Sequence, residues 1–238
     1  MAISMVRRDE MIFDFKDGFA QTELLPNSFE GIKNYKCILK AGHDVTPEVF
    51  KDKAVVYCFT KGQGYLTDHK KAYNITELSF YVPDCDASRF CIHAVEDMEF
   101  LCLVSDMSEG DWRTYEAGHH VLPIFNPISQ CREYTQDCKG PHTQSWSVLS
   151  SKNIGRIMLG VVRAIGEGTT EKGHPSVDQW NYCLEGADFN LTVDGETVVQ
   201  KDGDWSFVPA GLDHSLVAEP GKLVYYIWFE HFVKEFDA

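Results

Sequence analysis

Two runs in the last third of the chain combine the residue types and spacing of a metal-ligand set. They are Gly166-x5-Lys172-x-His174-x4-Gln179-x6-Gly186 and Gly203-x5-Pro209-x-Gly211-x2-His214. His174, Gln179 and His214 offer two imidazole nitrogens and an amide oxygen, a neutral set with positions left for water and substrate. Such a set suits a divalent Mn, Fe, Ni, Co or Zn ion, held less tightly than with a carboxylate. An ion placed there polarises a carbonyl or carboxylate, or activates water, on a small polar molecule. Asp178 competes with Gln179, because a one-residue bulge would turn it inward instead. Lys172 cannot ligate while protonated. Beside a cation in a partly buried pocket its pKa falls, making it a catalytic base, an acid or an anchor for a substrate carboxylate. The plainer reading is a solvated turn lysine paired with Glu171.

Ligands this far apart in sequence need strands to gather them. Short β-rich runs bounded by turn residues dominate the chain: YKCILKA, AVVYCFT, LSFYVPD, FLCLVSD, RIMLGVVRAI, WNYCLEG, WSFVPAG and LVYYIWFEHF. This spacing predicts an all-β sandwich or barrel. Asp194-Gly195 between two alternating runs predicts a hairpin. Strand alternation puts Gln179, Asn181 and Cys183 on one face and Trp180, Tyr182 and Leu184 on the other. Buried amides without partners cost about 1–3 kcal/mol, so Gln179 and Asn181 are expected to meet a metal, water or substrate. Gly211 supplies a bend that re-aims His214 toward the interior. Arg163, at the end of an apolar run, is a second candidate substrate contact, against the plainer reading of a surface arginine.

The chain also repeats itself. Residues 57–83 align with 182–209 through Tyr-Cys starts, Gly62 and Gly186, and aromatic-Val-Pro ends at Pro83 and Pro209. Two tandem units follow. Carried back, His174 falls near Phe50, Gln179 near Val55 and His214 near Ser88, none of them able to hold a cation. His43, Glu48 and His93 occupy no matching slot. The first half is therefore expected to pack, pair or cover rather than catalyse.

The two motif runs resemble the paired motifs of the cupin superfamily, G-x5-H-x-H-x3-4-E-x6-G and G-x5-P-x-G-x2-H-x3-N. Every glycine, the proline and two histidines fit. Lys172 stands for the first histidine, Gln179 for the glutamate and Ala218 for the asparagine. The resemblance implies two tandem cupin barrels of double-stranded β-helix, jelly-roll type. Residues 1–107 would form a degenerate first barrel, 108–145 a surface connection with the boundary near Gly140, and 146–238 the metal-bearing barrel. The organisation is similar to that of ureidoglycine aminohydrolase-like bicupins, whose metal set includes a glutamate where Lys172 stands.

Composition narrows the partners. With 36 acidic against 22 basic side chains the net charge is −14, which repels nucleic acid. No apolar run is long enough to span a membrane or serve as a secretory signal, so the expectation is a cytoplasmic protein without a membrane partner. The eight cysteines lack a CxxC pair and read as reduced thiols, with Cys131 and Cys138 the one pair in loop-like sequence. The apolar strand YYIWFEHF, taken as a sheet edge, predicts a homodimer. The functional expectation is a metal-dependent cupin enzyme of hydrolase, isomerase or lyase type acting on a small carboxylate- or carbonyl-bearing metabolite. The alternative is a bicupin that binds a small ligand and has lost its metal. A regulator lacks an appended helix-turn-helix, and a seed-type storage role fits poorly with a cysteine-rich chain lacking a signal.

Overall fold

The computed structural model describes residues 3–84, 89–150 and 153–235. Cys85 and Ser88, the latter the expected counterpart of His214, lie outside them. The chain divides into two compact units, Met11–Gln130 and the combination of Met1–Glu10 with Cys131–Ala238. β-Branched and aromatic residues fill the strands, and the turns between them fall at glycines. The Asp194-Gly195 pair, with φ of 46° and 82°, closes the hairpin of strands Asp188–Val193 and Glu196–Lys201.

Each unit is a pair of antiparallel sheets in jelly-roll fashion; strand pairing does not join the two sheets into one closed barrel. The Met11–Gln130 unit has a six-stranded sheet in the order Ile124–Pro127, Ser79–Val82, Lys53–Lys61, Met98–Asp106, Ile32–Leu39, Phe19–Leu24. Its four-stranded sheet runs Asp44–Val45, Cys91–Ala94, Gly64–Thr67, Ala72–Ile75. The other unit has a seven-stranded sheet ordered Ser4–Val6, Trp205–Val208, Val177–Cys183, Leu223–Phe232, Ile157–Ile165, Gln144–Leu149, Arg132–Glu133. Its four-stranded sheet runs Gly168–Glu171, His214–Val217, Asp188–Val193, Glu196–Lys201. Strand for strand the central parts of the two units match, as the internal repeat requires.

Three expectations change. The first residues do not belong with the first half: Ser4–Val6 pairs with Trp205–Val208, and Arg7 and Arg8 then reach Asp204 and Asp202, each at 3.0 Å. A short edge strand is held by its neighbour's free backbone groups, which sequence distance does not reveal. The segment 108–145 is not a plain surface connection, and the division falls at Gln130/Cys131 rather than near Gly140. The segment holds a helix, Glu109–Gly118, opened by a reciprocal cap in which Ser108 and Asp111 exchange backbone-to-side-chain hydrogen bonds of 3.0 and 3.1 Å. It also supplies Ile124–Pro127 to one sheet and Arg132–Glu133 to another. The third change concerns YYIWFEHF, which lies in Leu223–Phe232 between two other strands and is not an edge. Its apolar character is that of a central strand, and the homodimer expectation loses the edge on which it rested.

Among the described residues Cys37, Cys58, Cys91, Cys102, Cys131, Cys138 and Cys183 form no disulfide. No described helix is long and apolar enough to cross a membrane.

Candidate metal centre

Two loops bring the motif residues together. Gly211 adopts φ of 86°, which turns the chain after Pro209, and its N–H donates to the His174 carbonyl at 2.9 Å. On the other loop Gly173 N–H donates to Asp213 Oδ1 at 2.8 Å, and a Cβ at Gly173 would collide with the Gly211 carbonyl oxygen. A glycine on each side therefore lets the His174 and His214 loops touch. Pairing of Gly168–Glu171 with His214–Val217 then sets Glu171 directly opposite His214.

The result is a set of four donors. Glu171 Oε2 lies 2.9 Å from His174 Nε2 and 3.7 Å from His214 Nε2, so one carboxylate oxygen stands between the two imidazoles. The imidazole centroids are 6.1 Å apart. His214 is 5% exposed; its Nδ1 meets the Leu212 carbonyl at 3.1 Å while its Nε2 is buried without a hydrogen bond. Gln179, also buried, donates from Nε2 to Asn181 Oδ1 at 2.9 Å, which leaves its carbonyl oxygen for the cavity. Asp178 faces the other way and accepts from the Ala210 N–H at 2.9 Å, which selects Gln179 as the inward residue.

Glu171, His174 and Gln179 line a cavity of about 860 Å³, with Glu230, Tyr134 and Lys139 also lining it. Burial works to raise the Glu171 pKa, but the hydrogen bond with His174, the His214 imidazole and the Cys138 thiol at 3.4 Å outweigh it, and the carboxyl lies below its ordinary value. Glu230, opposite Gln179 in the sheet register, goes the other way. Its burial outweighs the help of His174, and neighbouring Glu171 adds repulsion, so its pKa is pushed up to about 7. Two carboxyls whose pKa values are driven apart in one cavity can hold and release a proton near neutrality.

Glu171 is the residue that sequence reasoning missed. Its one signal is its place beside Lys172, one residue from the slot where ureidoglycine aminohydrolase-like bicupins carry a glutamate. Lys172 itself is an exposed residue at the cavity margin. Two other expectations are corrected. Asn181 is fully buried beneath Gln179 and is absent from the cavity wall, so it orients the amide rather than touching substrate. Arg163 points out of the strand Ile157–Ile165, exposed and 5.9 Å over the Tyr225 ring, while its neighbour Val162 lines the cavity. Alternation along a strand allows only one of the two to face inward.

The residues fit a divalent ion by donor chemistry: two imidazoles, one carboxylate and one amide oxygen, with an orphaned, buried His214 nitrogen among them. Among the described residues no three His, Cys, Asp or Glu side chains already stand close enough to enclose one. The hydrogen bond between Glu171 and His174 occupies donors that an ion would take.

The cupin domain model matches residues 161–229, the span that carries Gln179 and both halves of the hairpin leading to His214. Comparison with curated protein sequences finds no relative. Solved structures do resemble the whole chain. A Pseudomonas aeruginosa protein assigned as glyoxylate-induced has a TM-score of 0.78 at 10% identity, covering 100% of this chain and 91% of its own. The Ylba protein of E. coli has a TM-score of 0.75 at 13% identity, covering 99% and 92%. A point variant of Bacillus subtilis oxalate decarboxylase has a TM-score of 0.69 at 14% identity, covering 98% and 78%. The second unit therefore carries a cupin domain over residues 161–229, and the chain shares the fold of these structures over its full length.

Proposed function

We propose that the chain is a metal-dependent enzyme acting on a small carboxylate- or carbonyl-bearing metabolite, by hydrolase, isomerase or lyase chemistry. The observation that carries this reading is the buried His214 Nε2, without a hydrogen bond, beside a carboxylate shared with His174 at the edge of a large cavity. Glu171, His174, Gln179 and His214 would hold the ion, of the Mn, Fe, Ni, Co or Zn class. When bound, it supplies a Lewis acid for a carbonyl or carboxylate oxygen. Asn181 fixes the Gln179 amide so that its oxygen stays on the cavity side. Glu230, titrating near neutrality across the cavity, gives or takes the proton that the rearranging substrate requires. The apolar lining from Tyr226, Trp228 and Phe232 keeps bulk water from competing for these groups. Oxalate decarboxylase, among the structural relatives, acts by name on a small carboxylate; the likeness supports the fold, and the substrate class is our inference.

Metal analysis of protein purified without an affinity tag tests the reading. One divalent ion per chain is expected, lost in Glu171→Gln and His214→Ala with the thermal transition retained. Wild type that takes up no ion after reconstitution with manganese, iron or zinc overturns it. So does stoichiometric binding that survives both substitutions. A non-catalytic ligand binder is the second reading, favoured by the Glu171–His174 hydrogen bond, in which the two groups satisfy each other.

A further inference from the structure

The segment Arg132–Lys139 contributes Arg132, Tyr134, Gln136, Cys138 and Lys139 to a wall of the cavity, and its two cations there make no contact ion pair among the described residues. Lys139 is held from both sides. The Thr170 N–H donates to the Cys138 carbonyl at 2.9 Å and the Gly140 N–H to the Gly168 carbonyl at 2.9 Å, which fixes this stretch against the strand that carries Glu171. Its Nζ donates to Tyr134 Oη at 2.8 Å and Ser145 Oγ at 3.0 Å, both neutral oxygens. Among the described residues no carboxylate lies within ion-pair distance of Lys139 or of Arg132, which lines the same cavity. A partly buried ammonium whose hydrogen bonds go only to neutral oxygens, with Glu171 and Glu230 acting on it from beyond contact distance, gains from an anion brought directly against it in the cavity. Its two hydrogen bonds leave one N–H to donate.

We propose that Lys139, assisted by Arg132, is the anchor for a substrate carboxylate, and so sets the substrate class as a small carboxylic acid. The cation wall stands on the cavity side that carries Tyr134, with Glu171 at the end of the adjoining strand and His174 on the loop that follows it. A substrate seated there carries a carboxylate at one end and its reacting carbonyl, or second carboxylate, at the other. This inference deepens the metal-enzyme reading and rests on it for the reaction, but the anchor itself needs no ion. Lys139 thereby takes the anchoring role expected of Lys172 from its motif position or of Arg163 from its place at the end of an apolar run.

Malonate and its neutral isostere malonamide are the probes, with binding followed by calorimetry or ligand-observed NMR on metal-free and manganese-loaded protein. Wild type is expected to prefer malonate by at least about tenfold in both forms. Lys139→Met removes most of that preference, Arg132→Gln reduces it about threefold, and Arg163→Gln leaves it unchanged. Equal binding of the two probes by wild type, no binding of malonate, or a preference that survives Lys139→Met each overturns the anchor. Should Lys139→Met fail to fold, the exposed Arg132 decides, and an Arg132→Gln variant with wild-type preference counts against the proposal. A lysine that merely balances Glu171 and Glu230 would change both probes alike. Preference for malonate without manganese uptake leaves the anchor standing and sinks the metal reading; manganese uptake without the preference does the reverse.

Discussion

The two units place opposite chemistry on the same strand positions. In one, Val55, Tyr57 and Phe59 pair with Val104, Cys102 and Phe100. In the other, Gln179, Asn181 and Cys183 pair in the same register with Glu230, Trp228 and Tyr226. The first set belongs to a continuous core that also takes in Tyr81, Phe90 and Ile92, with Tyr57, Tyr81 and Phe90 in edge-to-face contact at 5.0 to 5.2 Å. The cavity left beside Phe50, Val55 and Phe90 is about 20 Å³, against about 860 Å³ around Gln179 and Glu230. Filling an interior with aromatics stabilises the fold through buried apolar area, and leaves no donor for a cation. Keeping polar side chains and open volume forgoes that stabilisation, which an interior tolerates when those groups serve a ligand. One architecture therefore holds a filled apolar interior in one unit and an open, polar-lined cavity in the other.

The largest stability effect lies in the filled unit. Phe100→Ala removes a ring packed against Phe19, Tyr57 and Phe59, and should cost about 3–5 kcal/mol in denaturant melts. A loss below about 1 kcal/mol would show that this core is not the one holding the unit together. Importing the polar residue into the filled unit is the next test. Val55→Gln buries an amide among apolar groups, and a loss of about 2–3 kcal/mol is expected; an unchanged melt would mean that the two interiors are equally tolerant of polarity.

The third effect is smaller and depends on pH. Glu230 has its folded pKa raised to about 7 from the ordinary 4.5. Between those values the folded state keeps a proton that the unfolded chain has released. The group's contribution is therefore fully present below about pH 4.5 and is lost as pH rises through 7. Metal-free wild type should lose on the order of 2 kcal/mol over that window relative to Glu230→Gln. Parallel stability profiles for the two proteins would remove Glu230 as a neutral-pH proton carrier.

The hydrophobic alternation and glycine spacing carried much of the fold. The strand runs, the Asp194-Gly195 turn and the tandem repeat are local properties of the chain, set by backbone preference and side-chain period. The facing of Gln179 against Trp180 followed from the same period. Aligning the repeat on its Tyr-Cys starts puts it one residue out of register there. Tyr57 packs in one cluster with Tyr81 and Phe90, whereas in the other unit it is Cys183, not its neighbour Tyr182, that packs with Phe189 and Tyr226. A one-residue slip exchanges the two faces of a strand, and only pairing with the neighbours decides it. The helix Glu109–Gly118 had its local signal in Ser108-x-x-Asp111, masked by the glycine, histidine and proline residues around it.

Which strands form, that there are two units, and that His174, Gln179 and His214 are ligand-type residues at motif spacing could all be read along the chain, because these depend on neighbours within a few positions. Folding was needed to decide that Glu171 rather than Lys172 stands between the imidazoles, that Arg163 is outside, that Ser4–Val6 completes the later sheet, and that Lys139 lines the cavity. Each of those depends on strand pairing between residues far apart in sequence, where backbone hydrogen bonds set which side chains meet and no local preference records the choice.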